Sequence, residues 1–175
     1  MIPADELRHL DSGSRPGERA GGAGTVSVLA RCRGDADRVG ERAREVLGSV
    51  LAHATPSWPL PSEWRQLLPA WFVQKSAPEQ SRAEAERWLS WWRSLPVSEQ
   101  ARVTREQDWA LADWLYWLEP AERHWFWWDA EVENPATLRV IVEVSGWPVP
   151  LGALEWLLRA AGAIEVAHDE LAGGT

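Results

Sequence analysis

"WFWWDAEVENPATLRVIVEV", residues 125–144, is the stretch that decides the fold. Successive side chains of a strand point to opposite sides, so the run divides into two sets. Phe126, Trp128, Ala130 and Val132 fall on one face, and Trp125, Trp127, Asp129 and Glu131 on the other. "ENPAT" (133–137) supplies turn formers. Beyond it Leu138, Val140, Val142 and Val144 make an apolar face opposite Arg139, Ile141 and Glu143. Two alternating runs joined by a short turn predict a β-hairpin.

The pattern extends outward on both sides. Toward the N-terminus, "TVSVLARC" (25–32) alternates through Val26, Val28, Ala30 and Cys32. "GDADRVGERAREVLGSVLAHA" (34–54) then places Val39, Ala43, Val46, Leu47, Val50 and Leu51 at helical spacing. Toward the C-terminus, "LGALEWLLRAAG" (151–162) carries a stripe of Leu151, Leu154, Leu157, Leu158 and Ala161, with Gly162 as a stop. "IEVAH" (164–168) reads as a closing strand. With residues 54–120 set aside, the order is strand, helix, strand, strand, helix, strand.

That order resembles the ferredoxin-like βαββαβ arrangement of the α+β class: a four-stranded antiparallel sheet with two helices on one face. The resemblance is one of topology only, and it transfers no site. The expected organisation is a disordered polar tail over residues 1–24 and a single α+β domain over 25–175. Within that domain, 54–120 is a tryptophan-rich helical insertion between the first helix and the second strand.

The insertion begins with a proline-broken segment holding a short helix over Glu63–Leu68, capped by Ser62 and ended before Pro69. "SRAE" (81–84) is a capping-box pattern that opens a helix through about Ser94, with Trp88, Trp91 and Trp92 on one side. Another helical stretch runs to Glu119 and stops at Pro120. Its second half, "DWALADWLYWLE" (108–119), is apolar nearly all round and predicts deep burial.

Composition narrows the function classes. A formal net charge of −8 opposes binding to phosphate backbones and favours basic partners. A single cysteine, Cys32, excludes an internal disulfide framework and points to a reducing, cytoplasmic setting. The N-terminal residues show no signal-like apolar region, and no apolar run approaches the ~20 residues of a membrane span. Fourteen tryptophans beside two phenylalanines and one tyrosine exceed what a core of this size needs.

Two candidate sites follow. In the expected fold one sheet face carries no helix, and on it would lie Trp125, Trp127, Asp129, Glu131, Arg139, Ile141 and Glu143. Three occupants are weighed for that face. The first is the insertion itself, laying Trp88, Trp91, Trp92, Trp109, Trp114 and Trp117 across it, because large apolar patches are normally covered. The second is a protein partner gripped by tryptophan anchors within a charged rim. The third is single-stranded RNA stacked on the rings, disfavoured because Asp129, Glu131 and Glu143 would repel phosphate.

The second candidate site is a tryptophan-lined pocket around Asp113, Trp114, Tyr116, Arg123 and His124. Asp113 is the sole charge between Trp109 and Leu118. Burial would raise its pKa and suit it, with His124, to acid–base work. A structural role as acceptor for an indole or arginine is the plainer reading. The rings would suit an aromatic or cationic small ligand. No P-loop is present, and the four histidines form no metal-ligand pair, so neither cofactor nor metal is expected.

The functional expectation is accordingly a non-enzymatic module binding another, basic protein, of the immunity or inhibitor type. A small-ligand protein or enzyme at the Asp113 pocket is the alternative, and RNA binding is third.

Overall fold

The structure is a computed structural model and describes residues 2–54 and 57–168. The expected domain end at 175 and the first steps into the insertion, 55–56, lie outside the described residues. The chain opens with helix α1 (Pro3–Ser12), strand β1 (Gly24–Arg31) and helix α2 (Ala36–His53). Helices α3 (Pro61–Leu67), α4 (Ala70–Lys75), α5 (Arg82–Ser94), α6 (Val97–Glu106) and α7 (Leu111–Tyr116) follow. Strands β2 (Trp125–Asn134) and β3 (Thr137–Val144), helix α8 (Gly152–Ala161) and strand β4 (Glu165–His168) complete it.

The class is α+β, as the sequence predicts. The four strands form one sheet in the order β2-β3-β1-β4, with every neighbouring pair antiparallel. Val26, Val28 and Ala30 of β1 stand opposite Val142, Val140 and Leu138 of β3, and all six are buried. Over this face lie α2 and α8, packed on each other.

The outer side of these two helices is covered as well. Helix α3 packs on α2, and α4 packs on both α3 and α8. The Trp71 indole N–H donates to Glu45 on α2 at 2.9 Å, with the Arg42 guanidinium 4.9 Å from the Trp71 ring centroid. Phe72 meets Trp114 and Trp156 at ring separations of 4.7 and 5.0 Å. The Trp114 indole N–H donates to the carbonyl of Ala153 at 2.9 Å. The molecule is therefore three layers deep: sheet, α2 with α8, then part of the insertion. This explains why α8 buries Ala153, Trp156 and Ala160 in addition to its predicted stripe. Each fully buried indole contributes on the order of a few kcal/mol of apolar burial.

Three expectations need correction. First, the insertion does not lie across the helix-free sheet face. It stacks on the helices, where α8 offers a second apolar side that the sheet face, dotted with Asp129, Glu131 and Glu143, does not.

Second, the rings of β2 are in the opposite phase. Trp125 pairs with Val144 and Trp127 with Val142, so both stand on the helix-covered side and are buried. An irregularity between Trp127 and Asp129 inserts Trp128 as an extra residue, a β-bulge. It returns Ala130 and Val132 to the core side and leaves Phe126, Asp129 and Glu131 on the other. Trp125 and Trp127 are therefore not surface anchors.

Third, the expected tail over residues 1–24 is not structureless where it is described, from residue 2 onward. Helix α1 packs on β2 and α2 and buries Glu6, His9 and Leu10. The Glu6 carboxylate accepts from both terminal nitrogens of Arg123, at 3.0 and 2.5 Å, and from the backbone N–H of Trp127 at 2.7 Å. A His9 ring nitrogen lies 2.8 Å from the Trp128 carbonyl, and its ring stacks on the Trp128 indole at 4.3 Å. Charged and aromatic groups of α1 thus satisfy the backbone at the bulge, which would otherwise expose polar groups at the edge of the sheet.

A smaller difference concerns α3. Pro61 opens it, and Glu63 accepts the N–H of Leu60 at 2.6 Å, so Ser62 lies inside the helix instead of capping it.

Candidate functional site

The expected binding surface is dismantled by this geometry. Of its residues Trp125 and Trp127 belong to the core, whereas Asp129, Glu131, Arg139, Ile141 and Glu143 do share the helix-free face. The segment between α1 and β1 crosses one end of that face. Ser14 donates to Asp129 at 2.6 Å, and the Gly21 N–H donates to Glu143 at 3.1 Å. Gly22 passes so close that a Cβ there would lie 2.3 Å from the Val144 carbonyl oxygen, a contact only glycine permits. Arg139 donates to Ser27 and pairs with Glu133 on the neighbouring strand. Asp129, Arg139 and Glu143 are thus engaged within the molecule, Ile141 is half-buried, and Glu131 remains exposed.

The second candidate also divides. Trp114 is fully buried in the third layer. Arg123 is held by Glu6 beneath α1, with its guanidinium 4.8 Å from the Trp125 ring centroid. His124 is exposed, with Nδ1 3.1 Å from the Ser145 hydroxyl. None of the three lines a cavity with Asp113. Asp113 and Tyr116 do.

These two residues open onto a cavity of about 330 Å³. Its construction starts at a neck where the segment after α4 meets the segment before α7. The Ala77 N–H donates to the Trp109 carbonyl at 2.9 Å, and Ala77 bridges Ala110 in parallel. The chain leaves this neck at Ser81 and returns at Gln107, so α5 and α6 project as a helical hairpin. Ser81 and Glu84 form the predicted capping box at its start. The Trp92 indole N–H donates to the carbonyl of Gln100 at 3.3 Å and to Thr104 at 3.1 Å, tying α5 to α6. The break after α6 falls at residues 107–110, and α7 begins beyond it.

The angle between hairpin and neck leaves the cavity. Trp88 of α5, Trp109 of the neck and Tyr116 with Trp117 of α7 and its end supply the rings; Asp108 and Asp113 supply carboxylates. Trp88 also stacks on Trp92, ring centroids 6.2 Å apart. No residue of α5 is buried, and Trp91 keeps about half its surface exposed. Amphipathic α5 thus brings an indole surface to the neck without a core beneath it.

The electrostatics of the cavity are acidic. Asp113 is exposed because it opens into this concavity, yet the atoms crowding it push its carboxyl above the ordinary value; Glu79, another carboxylate, adds to the shift. Glu79 itself accepts the Ala112 N–H at 3.2 Å and lies 3.4 Å from Arg65. Tyr116 is pushed up by its hydrogen bond to Glu122 and then by the charge of Glu122. Asp108 accepts from the Trp156 indole at 3.4 Å. Arg105 and Arg159 line a neighbouring cavity that also touches Trp109, not this one.

Elsewhere little resembles a reactive centre. Cys32 is buried, and burial followed by the charge of Asp35 raises its thiol pKa, which keeps it protonated. Among the described residues no group of three or more His, Cys, Asp or Glu side chains is gathered as a metal ion would require. Nor is any described helix long and apolar enough to cross a membrane.

Of the cavity residues, the sequence points to Asp113 and Tyr116 for a pocket but places Trp88, Trp109 and Trp117 across the sheet. The apolar character of these rings was legible; the surface they meet was not. No protein-family model, no curated protein and no solved structure matches this chain.

Proposed function

We propose that this protein is a non-enzymatic binding protein whose recognition site is the aromatic cavity between the α5–α6 hairpin and α7. The observation that carries the reading is the hairpin itself: a thirteen-residue helix bearing three tryptophans, none of them buried, beside a concave site walled by further rings. Aromatic surface left open beside a concavity is where small ligands are held. Binding rather than turnover is favoured because His124 and Arg123, the residues that would have joined Asp113 in acid–base chemistry, lie elsewhere. A fragment screen by thermal shift on the intact protein tests it. Hits should raise Tm in the native protein and in Asp129→Ala, and lose that rise in Trp88→Ala. Hits retained in Trp88→Ala and lost in Asp129→Ala would move the site back to the sheet.

A second reading, a basic protein partner of the inhibitor or immunity type, is supported by exposed Leu89, Trp91 and Val97 on the same hairpin and by the net charge of −8. Affinity capture with the Trp91→Ala variant as control tests it; a partner held equally well by the variant would count against the hairpin.

We also infer that the frame is ferredoxin-like. Two strand–helix–strand units interleave so that β1 and β3 are central and β2 and β4 are the edges, with both crossover helices on one face. That interleaving is what supports the assignment.

A further inference from the structure

The walls of the cavity carry a second property besides aromaticity. Among the described residues that line it are two carboxylates, Asp108 and Asp113, and no lysine, arginine or histidine. Glu79 adds negative charge beside Asp113, and Glu122 does the same beside Tyr116. In the neighbourhood of Asp108 the countercharges Arg105 and Arg159 stand beyond Trp109, in the adjoining cavity. Asp108 also serves the Trp156 indole. Asp113 has no comparable duty: the charged group that acts on it is another acid. Asp113 shares the cavity with aromatic residues and faces a like charge with no cation among the lining, and a cation entering the cavity would compensate it.

Aromatic rings add to the same preference. Their electron-rich faces attract cations, most effectively where water is partly excluded, and bulky alkylated ammonium groups suit such walls because they shed water easily and demand few hydrogen bonds. An anion would meet two acids and no cation, with only the neutral donors of Gln80, Thr104 and Gln107 to receive it. A neutral ligand would gain the apolar contact but leave Asp113 uncompensated.

We infer that the ligand of this cavity is a small organic cation of the quaternary ammonium class, received among Trp88, Trp109, Tyr116 and Trp117 with Asp113 as its counter-ion. The inference rests on the cavity reading above and adds the chemical class of the ligand. Trp88 comes from the hairpin, while Trp109 and Trp117 pack against the core.

The test uses the full chain at constant ionic strength and follows tryptophan emission and heat on titration with choline and phenyltrimethylammonium. The neutral isostere 3,3-dimethylbutan-1-ol is titrated in parallel. Saturable binding of the cations is expected, about tenfold tighter than the isostere. Asp113→Asn should weaken the cations by about tenfold and leave the isostere unchanged. Trp88→Ala should weaken both, and because α5 buries no residue this variant should retain the native far-ultraviolet dichroism.

If the isostere binds as tightly as choline, or Asp113→Asn leaves cation affinity unaltered, the cationic class is wrong while a ligand cavity stands. The same holds if the fragment screen yields Trp88-dependent hits but the cations do not bind. If neither cations nor fragments bind in a Trp88-dependent way, both the class and the cavity reading fall.

Discussion

Two populations of tryptophan occupy this molecule, and they sit in opposite surroundings. In the layered body Trp64, Trp114, Trp125, Trp127 and Trp156 are fully buried, with Phe72 wedged against two of them. In the α5–α6 hairpin Trp88, Trp91 and Trp92 stack mainly on one another, and no residue of their helix is buried. The same residue type therefore serves as core in one place and as an open wall in the other. Spacing decides which side of an element is apolar; the neighbouring layers decide whether that side is spent on folding or remains available for a ligand.

The comparison can be broken most forcefully in the body. Trp156→Ala removes a ring lying between α8 and the insertion, and should cost about 3–5 kcal/mol in urea unfolding. A loss below about 1 kcal/mol would mean that the third layer is not packed as described.

Next is the N-terminal helix. Glu6→Ala leaves the Arg123 guanidinium buried without its partner and removes the acceptor for the Trp127 N–H, for an expected loss of about 3 kcal/mol or more. Were residues 1–24 a solvated tail, the same substitution would be almost silent, so the measured Tm discriminates directly.

Two body tryptophans should differ from each other. Trp114→Phe loses a hydrogen bond to the Ala153 carbonyl, whereas the Trp127 indole N–H is buried without a partner. Trp127→Phe should therefore be the milder change, by about 1 kcal/mol in parallel denaturant titrations.

In the hairpin, Trp91→Ala should shift stability by no more than about 0.5 kcal/mol. The smallest effect is electrostatic. Asp113 has its carboxyl pKa raised in the folded state, so at neutral pH the ionised group opposes folding slightly. That opposition fades as pH falls from the raised value toward the ordinary carboxyl value, below which the group is protonated in both states. Asp113→Asn should thus be at least as stable as the native chain near pH 7, with the difference vanishing in acid. A variant less stable at pH 7 would show that the carboxylate has a structural partner.

Much of this frame was legible in the residues. Alternation in "TVSVLARC" and "LRVIVEV" located β1 and β3 with the correct face inward, because one face is all Val, Leu or Ala and the other is not. The phase of β2 was illegible for the converse reason: "WFWW" is apolar in either register, and the bulge at Trp128 leaves no polar mark. Helix α1 is hard to read from sequence because two of the three residues it buries are polar, Glu6 and His9, although Pro3 and the acids Asp5 and Glu6 are ordinary helix-start signals. At the site, Asp113 stood out as a lone charge among rings. Its true companions did not, since nothing local says that residues 88 and 109 meet at a neck closed by Ala77. The breadth of apolar surface on α8, with Trp156 outside its main stripe, was the available hint that the insertion would stack there.

The division between core rings and open rings is tested most directly by acrylamide quenching of tryptophan emission in three proteins. These are the native chain, Trp125→Phe/Trp127→Phe and Trp88→Phe/Trp91→Phe. The hairpin variant should lose a red-shifted, readily quenched component, and the strand variant a blue, protected one. The reverse pattern, or a hairpin variant that loses only protected emission, would contradict the account and close the cavity on which the proposed function depends.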